Sequence, residues 1–225
     1  MSNIWYLSPS NQTANMGVDD YGSEKEQMNL LLDEIIPHLD RAGVNFHRGD
    51  PDITIQQRAA QSNEMDAAFH LALHSNAGGK GQARGPVAYY YSESGKALGE
   101  KLVASLLALG QENNRALNIK EEKSFYELKK TRAVACLLEV DFHDSKSGVA
   151  FLISRRSEIA EAIARAIIEM DGKTFVPVTD GEYVDRAIEL GFFPRDTDWN
   201  QTLTREEAAI MMVKLIDMIK KGVNQ

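Results

Sequence analysis

The chain has 225 residues, 43% of them hydrophobic, with a formal net charge of −8 and one cysteine. That is enough apolar material for one good core with length to spare, and an acidic balance without a lysine or arginine stripe excludes nucleic acid as a partner. No stretch is long and apolar enough to span a membrane and no basic leader precedes the first apolar run, so a cytoplasmic protein without a signal peptide is expected; a single cysteine excludes an internal disulfide.

In chain order, Ile4–Ser8 reads as a strand. Glu24–Arg41 carries Met28, Leu31, Leu32, Ile35, Ile36 and Leu39 at helical spacing. Glu24 lies in its first turn, where the helix dipole tolerates a carboxylate. Val44–His47 is a short strand, Ile53–Met65 a helix, and Ala67–Leu73 an apolar strand that runs into a Gly-Gly-Lys-Gly turn, so His74 is expected at its exposed carboxyl end. Pro86–Tyr91 is a strand whose Tyr89, Tyr90 and Tyr91 alternate between core and surface, and Gly95–Leu109 is a helix. Gly110–Lys130, rich in Asn, Glu and Lys, is irregular apart from a weak strand near Leu117–Ile119, and is read as the rim of a groove. Ala133–Phe142 is a buried strand carrying Glu139 and Cys136, and Ser157–Met170 is a helix. This alternation predicts an α/β fold, a largely parallel twisted sheet with helices on both faces.

Composition changes after Met170, which places a domain at 1–172, a linker with Pro177, Asp180 and Gly181 over 173–180, and a small helical unit at 181–225. In that unit Tyr183–Phe193 reads as a helix stopped by Gly191, and Thr204-Arg205-Glu206-Glu207 opens another with a capping-box pattern. Ala208, Ile210, Met211, Val213, Leu215, Ile216 and Met218 make the second helix apolar around too much of its circumference for a lone exposed helix. Such a short unit must pack on the larger domain or pair with another chain, which allows a homodimer.

Three residues stand where apolar segments give way to polar turns: Glu24, His74 and Glu139. Carboxylate and imidazole donors of this kind suit a catalytic zinc, which takes three protein ligands and keeps a position open for water. A carboxylate toward the end of a buried strand is costly unless it is paired, metal-bound or catalytic. His70 and His74 share a strand face about 13 Å apart and cannot both reach one metal; His70 is read as a hydrogen-bonded core residue, Cys136 as core, and His38 and His47 as surface residues.

The order of these segments resembles the type 3 family of zinc-dependent N-acetylmuramoyl-L-alanine amidases over roughly the first three quarters of the chain. Arg58, Asn63, His74, Asn76 and Ala77 resemble the family's Arg, Asn and His-x-Asn-Ala series, Ala135–Phe142 resembles its apolar strand with the catalytic Glu, and Glu24 falls where the family has a zinc-binding Glu ahead of a helix and an Ala-Gly turn. The resemblance implies a hydrolase that cuts the amide between the muramic acid lactyl group and the first L-alanine of the peptidoglycan stem. It assigns zinc to Glu24 and His74 and the general base and acid to Glu139; Arg58, on the helix before His74, is read as structural.

One departure stands out. The family's first zinc ligand is the His of a Gly-His-Gly-Gly turn, whereas this chain has Tyr6-Leu7-Ser8-Pro9-Ser10-Asn11-Gln12, with Ser10 at the matching position. Three readings follow: a metal-free, silent site; zinc held by Glu24 and His74 with waters; or a relocated third ligand. The third is favoured, with His143, four residues beyond Glu139, as the replacement and Gln12 and Asp141 as weaker substitutes. The Ser-Pro-Ser-x-Gln opening and Phe-His-Asp ending resemble a phage-type branch, and a wall-cutting enzyme without an export signal suits a phage or prophage endolysin, held inside the cell until released to the wall; mother-cell lysis fits as well. The ordering of residues around Trp199 and Leu203-Thr204-Arg205-Glu206-Glu207-Ala208 resembles one S-layer homology repeat, which implies a secondary wall polymer as a partner of the C-terminal unit. Two alternatives stay open: a catalytically silent wall-binding protein, and a zinc peptidase acting on stem peptides.

Overall fold

Residues 3–78 and 80–177 are described in a computed structural model. The chain divides into two units, Met1–Val176 and Pro177–Gln225; the helices read over 181–225 and the end of the linker lie outside the described residues.

In chain order the elements are β1 (Ile4–Pro9), α1 (Glu24–Arg41), β2 (Asn45–Arg48), α2 (Ile55–Glu64), β3 (Phe69–Asn76), β4 (Val87–Tyr90), α3 (Glu93–Leu107), β5 (Ile119–Glu121), α4 (Tyr126–Lys130), β6 (Val134–Phe142), α5 (Lys146–Ser154) and α6 (Arg156–Met170). The strands form one sheet in the order β2-β1-β3-β6-β4-β5. β2, β1, β3 and β6 run parallel, β4 turns antiparallel against β6, and β5 follows β4. The expected mixed α/β fold with a largely parallel sheet is therefore present.

Strand alternation divides the sheet into two unlike faces. On one, Trp5, Leu7, Leu71, Leu73, Cys136, Leu138 and Val140 join Met28, Leu31, Leu32 and Ile35 of α1, Leu98 and Leu102 of α3, and Ile159, Ile163 and Ile167 of α6 in the main core. Trp5 stacks on Phe69 with ring centroids 4.2 Å apart. The other face carries only a small apolar cluster, Ala72, Leu128, Ala135 and Leu137, flanked by Tyr89 and Phe125. Beside it the same face is polar. Glu127 accepts hydrogen bonds from Ser8 at 2.6 Å and from the His70 ring at 3.0 Å, and fully buried Arg58 donates to the Ser8 hydroxyl at 3.0 Å and to the Asp50 carbonyl at 3.1 Å.

Local chemistry sets the helix starts. Ser23, Thr54, Ser92 and Ser145 cap α1, α2, α3 and α5 through their side chains, and Thr54 with Gln57 completes a capping box. α3 lies close to the sheet because a Cβ on Gly95 would stand 2.3 Å from the Ala135 carbonyl oxygen, and one on Gly99 2.9 Å from the Ala88 Cβ.

Two expectations need correcting. The weak strand expected near Leu117–Ile119 is present as β5, shifted to Ile119–Glu121, but Gly110–Lys130 also holds α4, and α5 follows β6 where no element was expected. In addition, β3 continues to Asn76, so His74 is a buried strand residue, 7% exposed, and does not sit at an exposed end. The cause is pairing on both sides: β1 and β6 flank β3, and His74 stands directly beside Glu139 in the register.

Candidate active site

The carboxyl ends of β1, β3 and β6 gather the expected residues. Glu24, the first residue of α1, is 1% exposed and meets His74 directly, with its Oε1 2.6 Å from the imidazole Nδ1. Its other oxygen accepts from the Asn15 side chain at 2.8 Å. Asn15 also donates to the Gln12 amide oxygen at 2.7 Å, and the Gln12 amide nitrogen lies 3.4 Å from His74 Nδ1, so Gln12, Asn15, Glu24 and His74 close a ring. Burial alone would raise the Glu24 carboxyl; its bond to His74, the His74 charge, and bonds from Asn15 and Ser10 outweigh that and hold it below its ordinary value. Burial likewise opposes a charged His74, but the Glu24 bond and the charges of Glu139 and Glu24 lift its pKa.

Glu139 stands beside this pair on the same face. Its Oε2 is buried without a hydrogen-bond partner. Burial pushes its pKa up to about 7, with the His74 charge pulling it down and Glu24 pushing it up. A carboxyl with such a pKa takes and returns a proton near neutrality, and an orphaned buried carboxylate oxygen is a costly feature that a stability role does not explain.

His143 lies just past β6. Its Nδ1 is 2.9 Å from the Ser75 hydroxyl, its ring stacks on Tyr21 at 5.9 Å, and Tyr21 donates to the same hydroxyl at 3.1 Å. Backbone bonds from His143 N to Asn76 O and from Val18 N to His143 O fix the segment. Burial lowers its pKa, which favours the neutral, metal-binding form. The structure thus brings Glu24, His74 and Glu139 together, while among the described residues no three His, Cys, Asp or Glu side chains form a ready-made metal cluster. Ser10 is fully buried and bonds to Glu24. Of the weaker substitutes, Gln12 borders the pair, whereas Asp141 is consumed elsewhere: its carboxylate accepts from the backbone N–H groups of Gly85 and Phe142 and from Gln111. α5 is capped by Ser145.

Zinc fits two of these donors. A buried carboxylate and an imidazole aimed at one another accept a cation in place of the proton they share. Sequence reasoning missed Asn15, whose amide braces Glu24, because a lone Asn in an irregular segment carries no periodic signal.

Residues 15–169 match the N-acetylmuramoyl-L-alanine amidase family. No curated protein matches the chain. Among solved structures, an N-acetylmuramoyl-L-alanine amidase of Nostoc punctiforme is 22% identical with a TM-score of 0.67, covering 75% of this chain and 96% of that one. The catalytic domain of an N-acetylmuramoyl-L-alanine amidase from Bacillus (Paenibacillus) polymyxa var. colistinus is 18% identical with a TM-score of 0.66, covering 75% and 97%. The catalytic domain of an endolysin targeting Clostridia difficile is 18% identical with a TM-score of 0.62, covering 79% and 100%. At these identities the likeness is one of fold; the match over 15–169, which takes in Glu24, His74, Glu139 and His143, is one of family, and the chain belongs to the N-acetylmuramoyl-L-alanine amidases.

Proposed function

We propose that this protein is a zinc-dependent peptidoglycan amidase that hydrolyses the bond between the N-acetylmuramic acid lactyl group and L-alanine. The observation that carries the reading is the unpartnered buried carboxylate oxygen of Glu139 beside the Glu24–His74 pair. Glu24 and His74 would hold the metal. His143 would supply the third nitrogen through Nε2, the ring atom left over from its Ser75 contact. When bound, zinc acts as a Lewis acid toward the lactyl carbonyl and makes a bound water more acidic.

The protein's own steps follow from Glu139. Its carboxylate takes a proton from water as the oxygen bonds to the lactyl carbonyl carbon, and the carboxyl so formed returns that proton to the alanine nitrogen as the C–N bond breaks. The products are a lactyl carboxylate and a free amino group on the stem peptide. Asn15 keeps Glu24 in place.

The endolysin role is part of the proposal: the fold shared with an endolysin catalytic domain and the wall-directed chemistry of the family support it. No helix among the described residues is long and apolar enough to cross a membrane. A secondary wall polymer as ligand of residues 181–225, and pairing of two chains through that unit, are proposed on the sequence pattern alone. A second reading, a silent wall-binding protein, draws on Ser10 in the place of the first metal ligand.

Zinc per chain, measured with product analysis on purified peptidoglycan, separates these readings. Near-stoichiometric zinc and new amino-terminal L-alanine are expected for the wild type, with His143→Ala losing most of the metal. Zinc unaffected by His143→Ala would return the search to Gln12, and wall binding without zinc or new amino groups would establish the silent reading.

A further inference from the structure

We infer that Gln111 and Asp141 are positioning residues: they hold a one-residue slip in β6, and that slip sets where His143 stands relative to Glu139. The inference rests on the amidase reading above and gives a role to two side chains that lie outside its metal and base set.

The slip is visible in the strand register. His74 pairs with Glu139 and Asn76 with Phe142, so two steps along β3 answer three along β6. A bulge of this kind is rare between parallel strands and re-aims the residues beyond it. In an unslipped ladder Asp141 would stand opposite Asn76, and the Phe142 N–H would take the Asn76 carbonyl. Here the His143 N–H takes that carbonyl at 2.8 Å. The chain beyond the bulge is drawn back by one strand step, about 3.3 Å, and the His143 ring meets the Ser75 hydroxyl at 2.9 Å.

Asp141 is what keeps the Phe142 N–H off the Asn76 carbonyl. Its Oδ1 accepts that N–H at 2.7 Å and the Gly85 N–H at 3.1 Å. Its Oδ2 accepts from the Gln111 side-chain nitrogen at 2.7 Å, and the same nitrogen donates to the Val140 carbonyl at 2.9 Å. The carbonyl before Asp141 and the N–H after it are thus answered by side chains in place of strand partners. Both side chains are buried, where an unanswered backbone group is costly, so the bulge depends on them. Gln111 faces two acceptors with its nitrogen and leaves its own Oε1 buried without a partner. The orientation of the amide is therefore dictated by β6 and not by what would best satisfy Gln111 itself.

The test uses the full-length protein with two readouts: zinc affinity by competition with a chelator, and the imidazole nitrogen NMR signals of His143 in metal-free protein, assigned by their loss in His143→Ala. Asp141→Ala and Gln111→Leu are expected to shift those signals and to weaken zinc about 10-fold or more; if one of the two does not fold, the other carries the comparison. Asp141→Asn keeps an oxygen for the Phe142 and Gly85 N–H groups, so it should retain near-wild-type zinc affinity. Gly95→Ala, which strains α3 against the other end of β6, should leave both readouts in place. Unmoved His143 signals in Asp141→Ala and Gln111→Leu would overturn the inference. Equal zinc loss in Asp141→Asn would do so too, by making Asp141 act through its charge, as would the same shifts in Gly95→Ala, by making them general loosening. Shifted signals with zinc affinity intact would support control of His143 by the slip and overturn only its place as a metal ligand. A wild type that frees no L-alanine amino group would overturn the amidase reading, and the NMR comparison would still decide this inference.

Discussion

At the scale of the residue, the site is a set of carboxylates whose surroundings push them apart. Glu24 has a helix start, an imidazole and an amide to hold its charge, and its pKa falls; Glu139 has burial and a neighbouring carboxylate, and its pKa rises to about 7. The rise has a sign that can be checked in metal-free protein. A carboxyl whose folded pKa lies above its unfolded value of about 4.5 makes the folded state bind more protons, so stability is greatest below about pH 4.5 and is lost as pH rises toward 7. The gap corresponds to roughly 3 kcal/mol. After chelator treatment, Glu139→Gln should therefore raise Tm at pH 8 and lose that advantage near pH 4.5; a difference independent of pH would contradict the burial of the charge. Glu24, His74 and Glu139 were legible in the sequence because each is a polar residue set against an apolar pattern. The partners that tune them were not. Asn15 braces Glu24 from an irregular segment that carries no periodic signal, and Ser10 looked only like a missing ligand when its hydroxyl in fact supports Glu24.

At the scale of the element, legibility followed length and period. α1 has the bounds that six apolar residues at helical spacing imply, and Ser23 caps its start. α4 has five residues and no side-chain cap, too few for a period, and α5, Lys-Ser-Gly-Val-Ala-Phe-Leu-Ile-Ser, is an apolar run that pattern alone does not separate from a strand. α3 shows a different kind of information. Its glycines at 95 and 99 face the sheet where any side chain would collide. Gly95→Ala puts a Cβ 2.3 Å from the Ala135 carbonyl, backbone that cannot step aside, and should destabilise by about 2 kcal/mol or more. Gly110→Ala meets no atom within 4 Å and pays only for its φ of +77°, so it should cost less, about 1 kcal/mol. Urea unfolding of both variants compares them, and equal losses would mean that α3 does not depend on the close approach.

At the scale of the molecule, the core lies almost wholly on one face of the sheet, and the chain beyond α6 belongs to it. Asp171 accepts from Trp5 Nε1 and from Asn3, each at 3.1 Å; Lys173 pairs with Asp171 at 2.8 Å and donates to the Gly43 carbonyl. Phe175, 9% exposed, joins the main cluster and stacks on His38 at 5.7 Å, with Arg165 over its ring at 3.9 Å. The change in composition after Met170 marks where periodicity ends, but the packing of the first unit runs on to Val176, because an aromatic residue in a polar segment finds its pocket only in three dimensions. Two truncations should then behave differently. A chain ending at Val176 keeps every one of these contacts, and its Tm and its activity on soluble muropeptide should stay near those of the full chain. A chain ending at Gly172 exposes the surface under Phe175 and loses the Lys173 bonds; burying such a ring is worth about 2 to 3 kcal/mol, so Tm should drop by roughly 5 to 10 °C. Equal melting of the two would show that the Phe175 contact adds nothing to the folded unit, and would leave α6 as its true end.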